Sequence, residues 1–499
     1  MLGEYVSFSD SILYKLSMLS WQRGNDNFYV EKIPFSFSSG FEYASLCSDL
    51  ITEFSKFSTK KTRVLECGSG NGVFAKKLIQ KLNDVDFEFS YKLTEYSKKL
   101  IESYDCWVEN LDNVTTDFLD ILNIEKLSSF NVAILTYLLD TVPCKCLVYK
   151  DSKLYENKVC VRLKNDAKLT NSFDFPFKDF SQPELISFLS GEISFSNLAL
   201  VSRIQDVLDI SWKEVPISVS EFDSADFLQG WLDQCSEKEM YFNYSDYYFT
   251  IFDSLIKYSD SSFMFICYDF ATDSNSYITH LDKLYGQFGS CYFNNINFSL
   301  LKFYCQKNKL CFLSSHYNNS ENQLGIITSV LDAEFHNYVT LKLSAEELGV
   351  RSYSWVKEID QINDVATLVA KVGISQQELT QDEFSDYVFR FSIAKKFYSL
   401  LSYDNSMVYV DSILEDYKDL ALDAIILKSK ILRKQYYFKG ALELVKSCVD
   451  KGTCYELLYL ELIFIYAELN KVAEFQLALR SYFKYFTYNP QWQLAEMIN

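Results

Sequence analysis

Apolar runs alternate with amphipathic segments between about residues 61 and 160, and this alternation predicts strands and helices in turn. The runs TRVLEC (62–67) and FNVAILTYLL (130–139) predict buried strands. Residues 73–82 predict a helix, and DFEFSYKLTEYS (86–97) predicts a strand that leads into the start of another helix. Strands and helices that alternate in this way indicate a parallel sheet with helices on both of its faces.

The remainder of the chain divides into a second set of β signals and a long helical region. Residues 146–163 predict a hairpin, and about 164–250 predict an irregular insertion with short helices. SSFMFICYDF (261–270) predicts one more buried strand, and 300–315 predict a helix followed by a strand. From about 380 to 486, apolar residues recur at helical spacing with few helix breakers.

The helical tail carries weak signs of a repeat. Ala478, Tyr482 and Tyr485 have the spacing found in the second half of a tetratricopeptide repeat. A fainter copy begins at Ala441, 37 residues earlier, and includes Val445. An ordinary helical bundle explains the same pattern, so both interpretations stay open.

The net charge limits the classes of partner. The chain has 499 residues and a formal net charge of −19, which disfavours nucleic acid and anionic membranes and suits a basic protein or peptide. The local exception is a group of basic residues near 428–439, which a solvated helix face explains better than a binding patch.

The cysteine pattern and the N-terminal sequence predict a cytoplasmic protein without a metal. Thirteen cysteines include no CxxC pair, and three histidines offer few zinc ligands, so we expect reduced, buried thiols. The first residues have an early acid and no basic flank, unlike a secretory or mitochondrial targeting segment. No apolar run reaches the roughly 18 residues that a membrane span requires.

The stretch ECGSGNG (66–72) joins a predicted strand to a predicted helix and supplies Glu66, Gly68, Gly70 and Gly72. It lacks the Lys-Ser/Thr pair of a P-loop, and its glycine spacing departs from the dinucleotide fingerprint. An acid followed by three alternating glycines is typical of the turn that binds S-adenosylmethionine (SAM) in class I methyltransferases. Glycines admit positive φ and a close backbone approach, and the helix N-terminus attracts a carboxylate. A purely structural glycine loop is the alternative.

Two further acids extend the predicted cofactor site. Glu95 lies 23 residues after Gly72, a distance of about one helix and one strand, which suits an acid that binds the ribose hydroxyls. Asp117 is the candidate for the adenine amino group, although a helix N-cap explains it equally well. The turn together with Glu95 predicts SAM as the cofactor.

Several segments between about residues 25 and 335 resemble, in order, motifs of the MidA-type methyltransferases, the family of the mitochondrial complex I assembly arginine methyltransferase. SSGFEYASLCSDLI (38–51) resembles its Thr-Ser-Pro-Glu-x-Ser segment, and LTEYSKKLIES (93–103) resembles its Glu-x-Ser-x-x-Leu. LLDTVPCKCLVYKDSKLYENKV (138–159) resembles its Phe-Asp-Ala-Leu-Pro-Val segment and the hairpin after it. FICYDFA (265–271) resembles its Asp-Tyr-Gly strand end, and NNINFSLLKFYCQKNKL (294–310) resembles the part around its His-Val-Asp-Phe. The resemblance implies methylation of arginine.

The substrate side departs from that family. Thr136 and Tyr137 stand where the family has Asn-Glu, and the segment 291–295 lacks the family's acid and histidine. Because carboxylates orient a guanidinium through paired hydrogen bonds, Asp140 and Asp269 are the catalytic candidates, with Tyr137 as a hydrogen-bonding wall. A helix N-cap at Asp140 and a core position for Tyr137 are the alternatives.

These observations predict an α/β fold: a Rossmann-like class I methyltransferase sheet with an inserted substrate-side region, followed by an all-α C-terminal region. Residues 1–60 are expected to form a helical lid, 61–335 the methyltransferase domain with its insertion at about 164–250, and 336–499 the helical region, tetratricopeptide-like from about 420 in one interpretation. We expect a SAM-dependent methyltransferase acting on a basic protein, with a protein partner on the tail. The alternative is a catalytically degenerate scaffold or assembly factor, which the missing acid and histidine favour.

Overall fold

The computed structural model describes residues 2–22, 37–109, 111–165, 183, 204–235, 239–272, 284–288, 291–315, 322–344, 350–453 and 455–486. The chain divides into two compact units. The first comprises Met1–Gly24, Tyr43–Arg162 and Asp209–Leu348, and the second comprises Asn25–Glu42, Leu163–Leu208 and Gly349–Asn499.

The strands of the described residues are, in chain order, β1 (Thr62–Cys67), β2 (Phe89–Glu95), β3 (Val114–Phe118), β4 (Phe130–Thr136), β5 (Lys145–Lys150), β6 (Lys153–Leu163), β7 (Leu208–Pro216), β8 (Glu239–Tyr244), β9 (Ser259–Thr272), β10 (Tyr285–Phe288), β11 (Cys291–Asn294), β12 (Ile296–Asn297), β13 (Cys311–Ser314) and β14 (Asn322–Thr328). The helices up to residue 344 are α1 (Ile12–Gln22), α2 (Phe41–Ser55), α3 (Val73–Asp84), α4 (Lys98–Val108), α5 (Ala225–Leu232), α6 (Asp246–Tyr258), α7 (Phe298–Lys307) and α8 (Ala333–Leu343).

The main sheet has the order β13-β14-β9-β4-β1-β2-β3, and β12 pairs with β9 beside this path. Strands β3, β2, β1, β4 and β9 are parallel, whereas β14 is antiparallel to both of its neighbours. The parallel core is the doubly wound arrangement, and the reversed strand at one side is that of class I methyltransferases. The predicted fold class is therefore confirmed.

The centre of this sheet is apolar on both faces. Residues 132–135 of β4 and 264–267 of β9 are completely buried, so side chains that point to opposite faces are all covered. Strands covered on both faces have continuous apolar sequences rather than alternating ones. This is why the runs at 130–139 and 261–270 predicted these two strands.

A second sheet has the order β7-β6-β5-β8 and includes the predicted hairpin. The prediction of an irregular insertion with short helices at about 164–250 is wrong in part, because β7 and β8 lie within it. Residues 166–182 and 184–203 of the insertion lie outside the described part. Strand β7 is mostly half-buried or exposed, so its sequence lacks the apolar run that marked the central strands.

The second unit contains helices α9 (Val350–Asp360), α10 (Val365–Glu378), α11 (Gln381–Phe384), α12 (Tyr387–Ser399), α13 (Tyr403–Tyr417), α14 (Leu422–Lys434), α15 (Phe438–Asp450), α16 (Glu456–Glu468) and α17 (Val472–Phe486). The last six form three pairs. Their first helices begin 35 and then 34 residues apart, and so do their second helices. Helix α14 contacts both α12 and α16.

The turn inside each helix pair has the same conformation. Leu401, Tyr436 and Asn470 have φ of +60°, +65° and +51°. In each turn the N–H of the next residue donates to the carbonyl oxygen five residues before it, at 2.8–2.9 Å. This is the Schellman ending of a helix, for which glycine is the favoured residue.

Replacing Leu401 with glycine should therefore stabilise the protein, since Leu401 is 72% exposed and its side chain disfavours positive φ. We expect the free energy of unfolding to rise by about 0.5–1 kcal/mol. Urea denaturation measures this change. The matched variant Leu477→Gly, at an exposed position within α17, should lower the free energy of unfolding by about 1 kcal/mol. A loss of stability in Leu401→Gly would contradict the assignment of strain.

Candidate functional site

The glycine turn connects β1 to α3 at the carboxyl edge of the main sheet. Gly68, Gly70 and Gly72 have φ of +73°, +56° and +73°, a region that side chains rarely adopt. A Cβ at Gly68 would lie 3.2 Å from the Leu138 side chain, and one at Gly72 would lie 3.1 Å from the Tyr104 ring. Both the conformation and the close packing therefore require glycine in this turn.

The end of β2 and helix α4 fasten the turn. The carbonyl oxygen of Thr94 accepts the N–H groups of Gly68 and Ser69, each at 2.9 Å. Glu95 Oε2 accepts the Gly70 N–H at 2.8 Å. The Tyr104 hydroxyl donates to the Gly70 carbonyl oxygen. Backbone and side-chain hydrogen bonds from the end of β2 and from α4 thus hold the turn in one conformation.

Glu95 lies where the sequence placed the ribose acid, directly beside the glycine turn. Its Oε1 accepts the N–H groups of Tyr96 at 2.8 Å and Ser97 at 3.2 Å. With the Gly70 bond, the carboxylate accepts three hydrogen bonds of the roughly four that its oxygens can take. Burial raises the pKa of Glu95, and these N–H donors oppose the rise. An acceptor position remains for a ligand hydroxyl.

Glu66 is the second acid of this region and is almost fully buried at the end of β1. The Tyr91 hydroxyl donates to its Oε2 at 2.7 Å. Burial raises the pKa of Glu66 to about 7; the Tyr91 bond opposes this rise, and the charge of Glu95 adds to it. A buried and a half-buried carboxyl group that repel each other form a favourable environment for a cationic ligand.

Asp117 does not join this cluster. It is exposed, forms an ion pair with Lys92 at 3.2 Å, and lies next to Thr94 in the sheet, so it points to the face opposite Glu95. Asp120 is the acid that follows β3 near Glu95, because the N–H of the preceding Leu119 donates to the Glu95 carbonyl oxygen at 3.1 Å. Sequence reasoning missed Asp120 because it predicted no strand at 114–118 whose end would have pointed to this residue.

Tyr137 follows β4 and makes a sharp change of direction. Its φ is +50°, which is strained for a bulky residue, and its N–H donates to the Tyr268 carbonyl oxygen at 2.9 Å. Its ring packs against the rings of Tyr268 and Phe270, each with centroids 5.5 Å apart. This turn brings Leu138 against the glycine turn, where it contacts the position of Gly68.

Asp140 and Asp269 lie together beneath the segment that follows Tyr137. Asp269 Oδ2 accepts the N–H groups of Leu138, Leu139 and Asp140 at 3.2, 2.9 and 3.4 Å. The Asp269 side chain lies close enough to influence the pKa of Asp140. Burial raises the pKa of Asp140 to about 7 and that of Asp269 well above its usual range, with the charge of Asp140 adding to the latter. The pair therefore shares a proton near neutral pH.

Three residues that sequence reasoning missed hold the carbonyl groups of the same segment. The Tyr14 hydroxyl donates to Thr141 O at 3.1 Å, Asn294 Nδ2 to Val142 O at 3.1 Å, and the Ser245 hydroxyl to Pro143 O at 2.6 Å. They come from α1, from β11 and from the residue before α6. No local motif marks them, because each contact joins positions more than 100 residues apart.

The described residues contain no group of three or more His, Cys, Asp or Glu side chains that would hold a metal ion. Among the helices that the structure describes, none has the length and apolar character needed to cross a bilayer.

Residues 45–202 match a protein family described as "Putative S-adenosyl-L-methionine-dependent methyltransferase". The matched range includes the glycine turn, Glu95 and Asp140. The prediction of S-adenosyl-L-methionine as cofactor is confirmed by this match, and the prediction of a SAM-dependent methyltransferase is supported by it. No curated protein sequence matches the chain.

Two crystal structures from Burkholderia thailandensis are similar to the chain. One, an uncharacterised protein, is 10% identical with a TM-score of 0.43, over 69% of this chain and 91% of that one. The other, crystallised with S-adenosyl-homocysteine, is 14% identical with a TM-score of 0.39, over 63% of this chain and 75% of that one.

Asp140→Asn should change how stability depends on pH. The pKa of Asp140 is higher in the folded than in the unfolded protein, so binding of a proton at Asp140 stabilises the fold at low pH. This stabilisation is lost as the pH rises through the folded-state pKa, here about 7. The amide of the variant cannot ionise. Its free energy of unfolding should therefore rise by roughly 1–3 kcal/mol, relative to that of the unchanged protein, between pH 5 and pH 8. Urea denaturation at both pH values measures this difference.

The exposed Asp226 provides the control for this experiment. The free energy of unfolding of Asp226→Asn should differ from that of the unchanged protein by the same amount at pH 5 and at pH 8. An equal effect of Asp140→Asn at pH 5 and pH 8 would show that the Asp140–Asp269 pair does not share a proton.

Proposed function

We propose that this protein is a SAM-dependent methyltransferase that acts on a nitrogen atom of a basic protein side chain, such as arginine. The observation that carries the proposal is the glycine turn with three positive φ angles, fastened to the carboxylate of Glu95. It lies at the carboxyl edge of a parallel sheet, where open α/β folds bind ligands.

The cofactor would be held by the backbone of the glycine turn and by two acids. The N-terminus of α3, which follows Gly72, attracts the methionine carboxylate. Glu95 has acceptor capacity for the ribose hydroxyls, and Asp120, which follows β3 next to Glu95, would bind the adenine. When bound, the cofactor supplies an electrophilic methyl group. The protein's own contribution is to position the acceptor atom and to take its proton.

Asp140 is the residue that we propose takes this proton. Its pKa of about 7 suits a general base near neutral pH, whereas Asp269 is engaged by three backbone N–H groups and orients the segment.

The resemblance to MidA-type enzymes supports arginine as the target, and the net charge of −19 supports a basic substrate. Tyr137 would form a wall of the acceptor site.

We further propose that the helical tail binds a protein partner as a tetratricopeptide-like array. The intervals of 35 and 34 residues between helix pairs support this, because tetratricopeptide repeats have a period of 34. The turns at Leu401, Tyr436 and Asn470 follow the same intervals. The interval of 37 residues between Ala441 and Ala478 does not coincide with them.

Transfer of radiolabelled methyl groups to a histone mixture tests the proposed activity. The unchanged protein should label arginine, and Asp140→Asn should lower the rate by about a hundredfold or more because the proton acceptor is lost. The Asp226→Asn control should label histones at the unchanged rate. A protein that binds SAM but labels no basic protein would contradict the proposed substrate class and favour the scaffold function.

A further inference from the structure

Two buried oxygen atoms beside the segment 138–143 have no hydrogen-bond partner in the described part of the chain. They are Asp140 Oδ1 and Tyr248 Oη. Asp140 is 3% exposed and Tyr248 is 1% exposed. Leaving a buried polar atom unpaired is costly, and in a folded protein such an atom usually has a functional explanation.

The fold places Tyr248 beside the segment that contains Asp140. Ser245, the residue before α6, donates to the Pro143 carbonyl oxygen at 2.6 Å, so the start of α6 lies against the segment. Tyr248 is in the first turn of α6 and packs in the same core as Leu139 and Val142. Burial raises the pKa of Tyr248 well above its usual range, and the charges of Cys144, Asp269 and Asp140 add to this rise. Its hydroxyl therefore stays protonated and lies within electrostatic reach of the carboxyl pair.

The chemistry of the two atoms selects a ligand. Asp140 Oδ1 has no hydrogen-bond partner among the described residues, so it is available as an acceptor. A neutral tyrosine hydroxyl both accepts and donates. An N–H group satisfies this pair, whereas a phosphate or carboxylate would be repelled by the buried acids.

We propose that Asp140 Oδ1 and Tyr248 Oη together bind the methyl-accepting nitrogen of the substrate, an amine or guanidine that carries at least one N–H. This inference rests on the proposed methyltransferase function and adds Tyr248 to the site. Both oxygens are shielded from solvent, and hydrogen bonds of a free enzyme often tighten only when substrate is bound.

Calorimetric titration with ethylguanidinium chloride, in the presence of S-adenosylhomocysteine, tests this two-point site. The unchanged protein should bind ethylguanidinium and should not bind tetramethylammonium, which has no N–H. Tyr248→Phe should weaken ethylguanidinium binding by about tenfold, the loss expected for one hydrogen bond to a charged group. Its affinity for S-adenosylhomocysteine should stay unchanged, which shows that the variant is folded.

Tyr304→Phe is the matched control, because the Tyr304 hydroxyl lies in the same core but bonds to Asp253 at 2.5 Å. It should bind ethylguanidinium as the unchanged protein does. Equal binding by Tyr248→Phe, or binding of tetramethylammonium as tight as that of ethylguanidinium, would overturn the inference. If S-adenosylhomocysteine does not bind, the proposed function fails. In that case, titration of ethylguanidinium without S-adenosylhomocysteine tests the two-point site by itself. If ethylguanidinium does not bind, or if Tyr248→Phe has no effect on its binding, the two-point site is overturned.

Discussion

Carboxyl groups that accept backbone N–H bonds organise the carboxyl edge of the main sheet. Glu95 accepts the N–H of Gly70 and so fixes the glycine turn, and Asp269 accepts three N–H groups of the segment 138–140. Leu138 joins the two loops, since it packs against Gly68. The proposed cofactor side and substrate side therefore depend on each other.

The same burial determines the protonation of the site. Glu66 and Asp140 both have pKa values raised to about 7, in each case chiefly because the carboxyl group is removed from water. A cation that enters beside them would restore the charged form. The fold thus maintains acids near the midpoint of their titration at neutral pH, which is the condition for a proton acceptor and for attraction of a positively charged cofactor or substrate.

The sequence was sufficient where local rules decide the structure. Apolar runs predicted β4 and β9 because both are covered on two faces, and the glycine spacing predicted the turn because glycine is the residue most favoured at its φ angles. Prediction failed where distant contacts decide. Strand β7 lacks an apolar run, and no sequence motif marks Tyr248. The repeat in the tail was placed at the wrong interval because Leu401 and Tyr436 occupy turns where glycine would have marked it.

Calorimetric titration of SAM into the purified protein tests whether the glycine turn binds the cofactor, with Gly70→Asp as the comparison. Aspartate tolerates positive φ better than most residues, so the turn should persist while the added carboxylate opposes Glu95. We predict a dissociation constant on the order of micromolar for the unchanged protein and no measurable heat for the variant. A folded protein that gives no heat with SAM or S-adenosylhomocysteine would contradict the account.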